Sequence, residues 1–358
     1  MAEILWSRPI CKVAGDYLAW PTVVTCASGE VLVVFSGDRE EHVCPYGKTL
    51  LIRSGDGGET WTEPVIINNT PLDDRDAGII ELASGTLVMS WFTSATWEHF
   101  DLFLELGLGT PAQVDAWARH CSKIPEETRR AWLGSWTRRS TDGGGTWEPP
   151  VPSIVSAPHG PVQAAGGELL YAGTAVVDGR DAVLLAASTD EARSWQVAGT
   201  VLCLDDYPGE DHHFTEPHVA ELAGGELLVI LRTDNGAAGI HSCRSDDRGR
   251  TWSPPEPTGM DGHNQPGHLL RLADGRLLCT YGRRLPPFGQ RACLSEDEGR
   301  SWRLDAEVVL RDDGAGTDLG YPASAEVSPG EVLTVYYQVD RPGEKVCINA
   351  TRWSLDGS

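Results

Sequence analysis

Basic residues are scarce in this sequence. It contains 29 Lys and Arg against 52 Asp and Glu, which gives a formal net charge of −23 at pH 7. Phosphate backbones and anionic lipid headgroups repel such a chain, so the composition argues against nucleic-acid and membrane partners. An anionic substrate would bind only where Arg or Lys side chains are concentrated locally.

Long apolar runs are also missing. No segment approaches the roughly 20 apolar residues of a membrane-spanning helix. Residues 1–8 contain neither an apolar run nor a cleavage site typical of a signal peptide, so we expect a cytoplasmic protein. A secreted chain whose signal had been removed would have the same sequence.

Cysteine motifs are absent, although the chain has nine cysteines. None forms a CxxC pair, and several, such as Cys279, lie in apolar strand-like runs. This predicts buried free thiols in a reducing compartment rather than disulfides or a zinc site. No HxH or HExxH spacing occurs either, so we expect neither a metal nor another cofactor.

Glycine and tryptophan are abundant, with 40 and 13 residues, and many of them belong to one repeated turn. In this turn an Asp caps backbone N–H groups, a Gly adopts positive φ and a Trp packs beneath the next strand. The pattern Ser-x-Asp-x-Gly-x-Thr/Ser-Trp, with its Gly replaced once, occurs at residues 54–61, 140–147, 188–195, 245–252 and 295–302. We interpret the five copies as structural turns without chemistry of their own.

A second repeat gives the number of units. Six small-residue turns separate apolar strands, at residues 27–30, 83–86, 165–168, 223–226, 273–276 and 328–331, which is a hairpin signal. Six hairpins and a repeat of about 50 residues predict an all-β, six-bladed β-propeller that forms a single domain over residues 1–358. The last unit lacks the Asp turn, so we expect the N-terminal strand, residues 3–10, to complete its blade.

Residues 97–136 interrupt the second blade with a helical pattern. Thr110 before Pro111, and Pro125 before two Glu residues, are helix-start signals, and apolar residues recur at three- and four-residue spacing. We expect a helical insertion that serves as a lid over the propeller face or as a homo-oligomer interface.

Chemistry-bearing residues concentrate on one predicted face. Loops between second and third strands and connections between blades share that face, and they carry nearly all the His and Arg clusters, whereas the hairpin turns on the other face lack them. This convergence at one end of the central channel indicates a site, with a solvated polar rim as the alternative.

The repeated turns resemble the Asp boxes (BNR repeats) of the sialidase (neuraminidase) superfamily, and the resemblance covers nearly the whole chain. In that family a Glu-Pro pair opens an inner strand, as Glu216 does here. Two carboxylate-binding Arg residues correspond to Arg232 and Arg291, and the Tyr nucleophile corresponds to Tyr321. The resemblance therefore implies an exo-acting glycoside hydrolase with a carbohydrate substrate.

Two parts of the family pattern are missing. The first Arg of the family's Arg-Ile-Pro motif would fall at Ala19-Trp20-Pro21, where no guanidinium exists. The acid/base Asp has no match in the loop 39–47. We therefore expect an acidic or deoxy sugar and weak or no turnover of ordinary sialosides, with Arg39 or Arg75 as a candidate to replace the missing Arg.

A mechanism follows from these residues. A phenol with a pKa near 10 needs a base to attack, and Glu216 is placed to accept the proton of Tyr321. We assign protonation of the leaving oxygen to His42, with the adjacent Glu40 or Glu41 as alternatives. The predicted substrate-binding residues are Arg39, Arg75, Asp76, His159, His213, His218, Arg232, His268, Arg283 and Arg291.

Structural roles and other functions stay open at this point. Any single histidine of the set is more simply a rim residue, and Glu216 with Arg232, or Arg75 with Asp76, can be a structural ion pair. Two other function classes suit the same face, because propellers host many activities. One is a polysaccharide lyase or a glycosidase using His and Glu, and the other is a non-catalytic glycan-binding propeller.

Overall fold

Six four-stranded sheets make up the protein. The computed structural model describes residues 2–207, 213–234 and 239–355. Neighbouring strands within every sheet are antiparallel and hydrogen-bonded, and the first strands of different sheets contact one another around a central axis. The predicted six-bladed β-propeller is therefore confirmed.

The strands are short and regularly spaced along the chain. In the first half they are β1 (Glu3–Cys11), β2 (Tyr17–Thr25), β3 (Val31–Arg39), β4 (Lys48–Ser54), β5 (Val65–Asn68), β6 (Asp73–Glu81), β7 (Leu87–Ser94), β8 (Gly134–Ser140), β9 (Val151–Pro152), β10 (Val162–Gln163), β11 (Leu169–Val177) and β12 (Arg180–Ser188). In the second half they are β13 (Gln196–Cys203), β14 (His213–Glu221), β15 (Leu227–Asp234), β16 (His241–Ser245), β17 (Glu256–Pro257), β18 (Gly267–Arg271), β19 (Leu277–Arg283), β20 (Gly289–Ser295), β21 (Val308–Arg311), β22 (Gly320–Ser328), β23 (Glu331–Val339) and β24 (Val346–Ser354).

The blades follow the chain, except at the closure. Blades one to five are β2–β5, β6–β9, β10–β13, β14–β17 and β18–β21, and blade six is β22–β24 with β1 on its outer edge. β1 pairs antiparallel with β24, from Glu3 opposite Ser354 to Cys11 opposite Ile348. The N-terminal strand thus closes the ring and covers what would otherwise be a free sheet edge.

The Asp turns have the predicted hydrogen bonds. In the first turn, Asp56 accepts from Thr60 N at 2.9 Å and Ser54 Oγ accepts from Gly58 N at 2.8 Å. The other four turns repeat these bonds. In the third turn Ala192 takes the glycine position with a φ of 62°. These contacts fix the outer hairpins and leave the turns on the face opposite the inner-strand loops.

Three α-helices separate β7 from β8. They are α1 (Phe100–Glu105), α2 (Pro111–Cys121) and α3 (Glu126–Trp132), preceded by a 3₁₀ turn at Thr96–Glu98; two more 3₁₀ turns occur at Leu204–Asp206 and Leu304–Ala306. Thr110 and Gln113 form a reciprocal capping box at the start of α2, which satisfies backbone N–H groups of its first turn.

The apolar core lies between neighbouring blades rather than in one central mass. All nine cysteines are free thiols, and all but the half-buried Cys203 are buried. In the part of the chain that the structure describes, no helix has both the length and the apolar character to cross a membrane.

Candidate active site

Four inner strands share an unusual backbone conformation near their starts. Trp20 (φ 54°), Asp76 (51°), Glu216 (44°) and Tyr321 (51°) are all left-handed, and each coincides with a register shift against the second strand of its blade. Such bulges redirect side chains, and a non-glycine residue there costs about 1–3 kcal/mol, a strain found mainly at functional sites. Four blades thus direct four different side chains towards one end of the channel.

Tyr321, Glu216 and Arg232, here called the Tyr321 cluster, are in direct contact. The Tyr321 hydroxyl donates to Glu216 Oε1 at 2.6 Å. Arg232 Nη1 donates both to Glu216 Oε2 at 2.7 Å and to the Tyr321 oxygen at 2.9 Å. The other edge of the guanidinium is paired with Asp234 at 2.8 Å. The resemblance to sialidases grouped Tyr321, Glu216 and Arg232, and the structure places their side chains in contact.

Burial controls the ionisation of Tyr321. The residue is 5% exposed, and desolvation together with the Glu216 charge holds the pKa of the phenol well above its usual range. The phenol is therefore protonated at neutral pH, and the hydrogen bond to Glu216 gives its proton a carboxylate acceptor.

His42 lies beside the cluster, on the other side of Trp20. The Trp20 ring contacts His42 at a centroid distance of 5.0 Å and Tyr321 at 6.4 Å. His42 Nδ1 is 2.7 Å from the Tyr17 hydroxyl, which donates to Asp318 at 2.7 Å. Because Nδ1 is held in this way, Nε2 is the nitrogen available for proton exchange. Burial lowers the pKa of His42, and the Asp318 carboxylate opposes that shift.

The helical insertion holds the loop that carries His42. Cys44 of this loop packs with Phe103, Val114 and Trp117, and the Trp117 indole donates to Glu40 at 2.7 Å. Glu41 accepts from Lys345 at 3.0 Å. Glu40 and Glu41, the alternatives to His42 as proton donor, therefore face the insertion and Lys345 instead of the Tyr321 cluster.

Three predicted substrate-binding arginines, Arg39, Arg283 and Arg291, are bonded to groups outside the Tyr321 cluster. Arg39 is buried, forms an ion pair with Asp73 and donates to the His42 carbonyl at 2.9 Å, so it supports the His42 loop. Arg283 pairs with Asp261 and donates to two loop carbonyls.

Arg291 is the clearest correction. It donates to carbonyls of Gln290 and Arg311 and lies 3.5 Å from Glu307. Its register partner Tyr281 packs against blade four, so the Arg291 side chain is directed between blades and away from Tyr321.

Three further residues around the site had no role assigned from the sequence. Arg284 lies over the Tyr321 ring, 6.0 Å from its centroid, and donates to the Tyr337 hydroxyl at 3.2 Å. Tyr17 and Asp318 hold His42. Arg284 directly follows the predicted Arg283 and Asp318 precedes Tyr321 by three residues, but both lie outside strands, where alternation gives no side-chain direction.

Arg75 and Asp76 meet the site from blade two. The Arg75 guanidinium lies 4.4 Å from the Trp20 ring centroid and 5.9 Å from that of Phe92. Asp76 is buried, and its Oδ1 has no hydrogen-bond partner among the described residues. Desolvation raises the pKa of Asp76 to about 7, Arg75 opposes that rise and Glu216 adds to it.

His159, His218 and His268 occupy a different level of the channel. Their rings contact one another at 4.6–5.7 Å between centroids. They line a cavity of about 300 Å³ that extends to Thr25 and Glu326, next to the hairpin turns. Contrary to our expectation, they therefore lie towards the opposite mouth, away from the Tyr321 cluster. Burial lowers the pKa of His218 to about 4, so this layer is neutral.

His213 is on the predicted face but at its periphery. It lies 3.7 Å from Asp234, with its side chain 52% exposed. Together with Phe92, Phe214 and Thr215 it lines a groove of about 430 Å³ between blades two, three and four. Within the described ranges, no group of three or more His, Cys, Asp or Glu residues is arranged to hold a metal ion.

Comparison with known sequences identifies a family and a distant relative. The family model described as a BNR repeat-like domain matches residues 113–333. A sialidase from Bacteroides fragilis (strain YCH46) is 24% identical over 258 residues, covering 65% of this chain and 42% of that protein. The chain thus spans less than half the length of this curated relative.

Solved structures share the architecture. A crystal structure of a protein of unknown function from Dyadobacter fermentans DSM 18053 superposes with a TM-score of 0.78 at 24% identity and covers 99% of both chains. The intramolecular trans-sialidase from Ruminococcus gnavus, in complex with oseltamivir carboxylate, superposes with a TM-score of 0.65 at 13% identity and covers 95% of both. At these identities the likeness concerns the fold.

Proposed function

Because the chain belongs to the BNR repeat-like domain family and has a sialidase-like fold, we propose that it is an exo-acting glycoside hydrolase on an acidic or deoxy sugar. The observation that carries this proposal is the 2.6 Å hydrogen bond from Tyr321 to Glu216. A buried phenol joined to a carboxylate at the mouth of a channel is the arrangement that an activated Tyr nucleophile needs.

The first step forms a glycosyl-enzyme. The Tyr321 oxygen attacks the anomeric carbon while its proton passes to Glu216, and the glycosidic C–O bond breaks. His42, in its protonated form, donates the Nε2 proton to the leaving oxygen. Arg232 bridges Glu216 and the phenol oxygen, so its charge stabilises the negative charge that develops there.

The second step restores the enzyme. Water attacks the anomeric carbon, and neutral His42 accepts the proton that the water loses. The bond from the sugar to Tyr321 breaks, and Glu216 returns its proton to the phenolate. Tyr nucleophiles of sialidases are a known exception to the two-carboxylate rule of glycosidases.

Ordinary sialosides are expected to be poor substrates. Ala19 occupies the strand position where the sialidase pattern has its first Arg, and Arg291 lies between blades. The B. fragilis sialidase is longer and distant in sequence, so its activity supports a reaction class here and not a particular sugar.

The decisive experiment compares Tyr321→Phe with Tyr336→Phe. Activity is measured on a panel of nitrophenyl glycosides of acidic and deoxy sugars. Tyr336 is a buried tyrosine of the same blade, and its hydroxyl contacts Thr351 at 2.9 Å. We expect Tyr321→Phe to lower kcat by at least about a hundredfold and Tyr336→Phe to leave it near wild type.

Other results separate the alternative functions. Near-wild-type turnover by Tyr321→Phe would remove the Tyr mechanism and favour a glycosidase that uses His and Glu. A digest that absorbs in the near ultraviolet would indicate a lyase, since elimination creates an unsaturated product. Binding of glycans without release of any product would identify a glycan-binding propeller.

A further inference from the structure

Arg75 differs from every other arginine near Tyr321. Arg232 is bonded to Glu216, Tyr321 and Asp234. Arg284 donates to the carbonyls of Asn264 and Leu319 and to Tyr337. The side chain of Arg75 forms no hydrogen bond or ion pair with any described residue, and its Nε is buried without a partner. A guanidinium without hydrogen-bond partners lowers the stability of the fold unless a ligand or water accepts hydrogen bonds from it.

Stacking presents the free N–H groups of Arg75. Its guanidinium lies against the Trp20 ring at 4.4 Å and near the Phe92 ring at 5.9 Å. A guanidinium that lies over an aromatic ring forms no hydrogen bond with that ring, so its N–H groups remain for a ligand, and their spacing matches the two oxygens of a carboxylate. Trp20 also touches Tyr321 at 6.4 Å between centroids, so this plane adjoins the reacting position.

The neighbouring Asp76 does not neutralise Arg75. No ion pair joins the two side chains in the described structure, and desolvation raises the pKa of Asp76 to about 7. In mildly acidic solution Asp76 is therefore mostly uncharged. Arg75 then carries a positive charge that no described carboxylate offsets at hydrogen-bond distance, in a protein whose net charge of −23 repels anions elsewhere.

We propose that Arg75, stacked on Trp20, binds the carboxylate of the substrate, and that the substrate is a sugar acid rather than a deoxy sugar. This inference rests on the proposed function, because it gives the substrate class of the same site. Blade two thereby supplies a guanidinium that blade one lacks at Ala19, and this single arginine takes the place of several carboxylate-binding arginines.

Paired ligands test the proposal without turnover. Glucuronate, galacturonate and N-acetylneuraminate are each compared with their uncharged methyl esters by isothermal titration calorimetry in mildly acidic buffer. We expect at least one acid to bind wild-type protein about tenfold or more tightly than its ester, since a bidentate, charge-assisted contact is lost in the ester. No preference for any acid over its ester would overturn the proposal.

Substitutions of Arg75 test whether this arginine causes the preference for an acid over its ester. Arg75→Gln should abolish the preference for the acid, and Arg75→Lys, which keeps the charge without the fork, should retain only part of it. Arg193→Gln is the matched control, because this arginine is 57% exposed on an Asp turn at the opposite face. If Arg75→Gln does not fold, as judged by thermal unfolding, the Arg75→Lys comparison carries the test.

The outcomes distinguish this inference from the proposed function. An acid preference that survives in Arg75→Gln or is unchanged in Arg75→Lys would overturn the carboxylate assignment, even if Tyr321→Phe is inactive. Conversely, an Arg75-dependent preference in a protein that hydrolyses nothing would support the binding site and reject the hydrolase.

Discussion

Tyr321 donates a 2.6 Å hydrogen bond to Glu216, a residue 105 positions earlier in the chain. Two blades supply the pair, so neither side chain can be moved without affecting the other. Groups that act as one unit show strongly non-additive kinetics. We expect Glu216→Gln and Tyr321→Phe each to lower kcat by about a thousandfold, and the double variant to lose little more. Steady-state kinetics of all three variants measure this, and additive losses would mean that the two residues act independently.

Asp76 predicts a pH-dependent stability. A carboxyl whose pKa is raised on folding, here to about 7 by desolvation, stabilises the fold at low pH, and this contribution is lost as the pH rises through the folded pKa. The charged or titratable groups that influence Asp76 are Arg75, Glu216, Arg39, Asp73, Tyr171, Tyr321 and Tyr337. Relative to wild type, Asp76→Asn should therefore be more stable near pH 8 than near pH 5.

Urea unfolding at these two pH values measures the Asp76 effect. The difference between the two comparisons should be on the order of a few kcal/mol, because each pKa unit corresponds to about 1.4 kcal/mol. Asp178→Asn, in an exposed hairpin with a φ of 52° that Asn tolerates, is the control. Equal behaviour of the two variants would show that Asp76 is ionised throughout this range.

The lowered pKa of His42 leads to a prediction of how activity depends on pH and on the leaving group. Burial lowers the pKa of this imidazole below 6.5, with Asp318, Arg75 and Arg39 as the charges that influence it. The proton-donating form is therefore lost as the pH rises through that lowered value, and turnover of alkyl glycosides should fall accordingly.

The variant His42→Gln separates acid catalysis from binding. We expect it to lose about a hundredfold or more on alkyl glycosides and less than about tenfold on nitrophenyl glycosides, which need little protonation. The ratio of the two rates, measured across pH, is the relevant quantity. An equal loss on both substrates would assign His42 a role other than proton donation.

Arg291 should affect stability rather than binding. Its guanidinium, 4% exposed, satisfies carbonyls between blades and lies 3.5 Å from Glu307. Arg291→Met leaves those groups without a donor, so the free energy of unfolding should decrease by about 1–3 kcal/mol. KM and kcat should stay within about twofold of wild type. A selective rise in KM for acidic substrates would return Arg291 to the binding site.

Repetition made the fold predictable from the sequence. The Asp turns and glycine hairpins are local signals, and their number gives the number of blades without knowledge of any long-range contact. The Tyr321 cluster was also predictable, because the resemblance to sialidases groups Glu216 and Arg232 with Tyr321.

The sequence did not predict which way individual side chains point or how deep in the channel they lie. Arg291 and Arg284 are seven residues apart in sequence, yet only the register with Tyr281 shows that Arg291 is directed between blades. His218 lies only two residues beyond Glu216, yet it is past the register shift and lines the cavity towards the other mouth. Such features depend on tertiary packing, which single-sequence patterns do not contain.

The left-handed position at the inner strands has a counterpart in blade three, where Gly160 has a φ of 77°. A Cβ there would lie 2.8 Å from Ser90 Oγ and 3.1 Å from Gly78 Cα, so no side chain fits. The blades are related by rotation about the propeller axis, but blade three places no side chain at this position. A sugar bound as proposed above would therefore meet functional groups along an arc from blade four through blade one to blade two, and rotating it by one blade would exchange its partners. The broken rotational symmetry of the propeller would thus define the orientation of such a ligand.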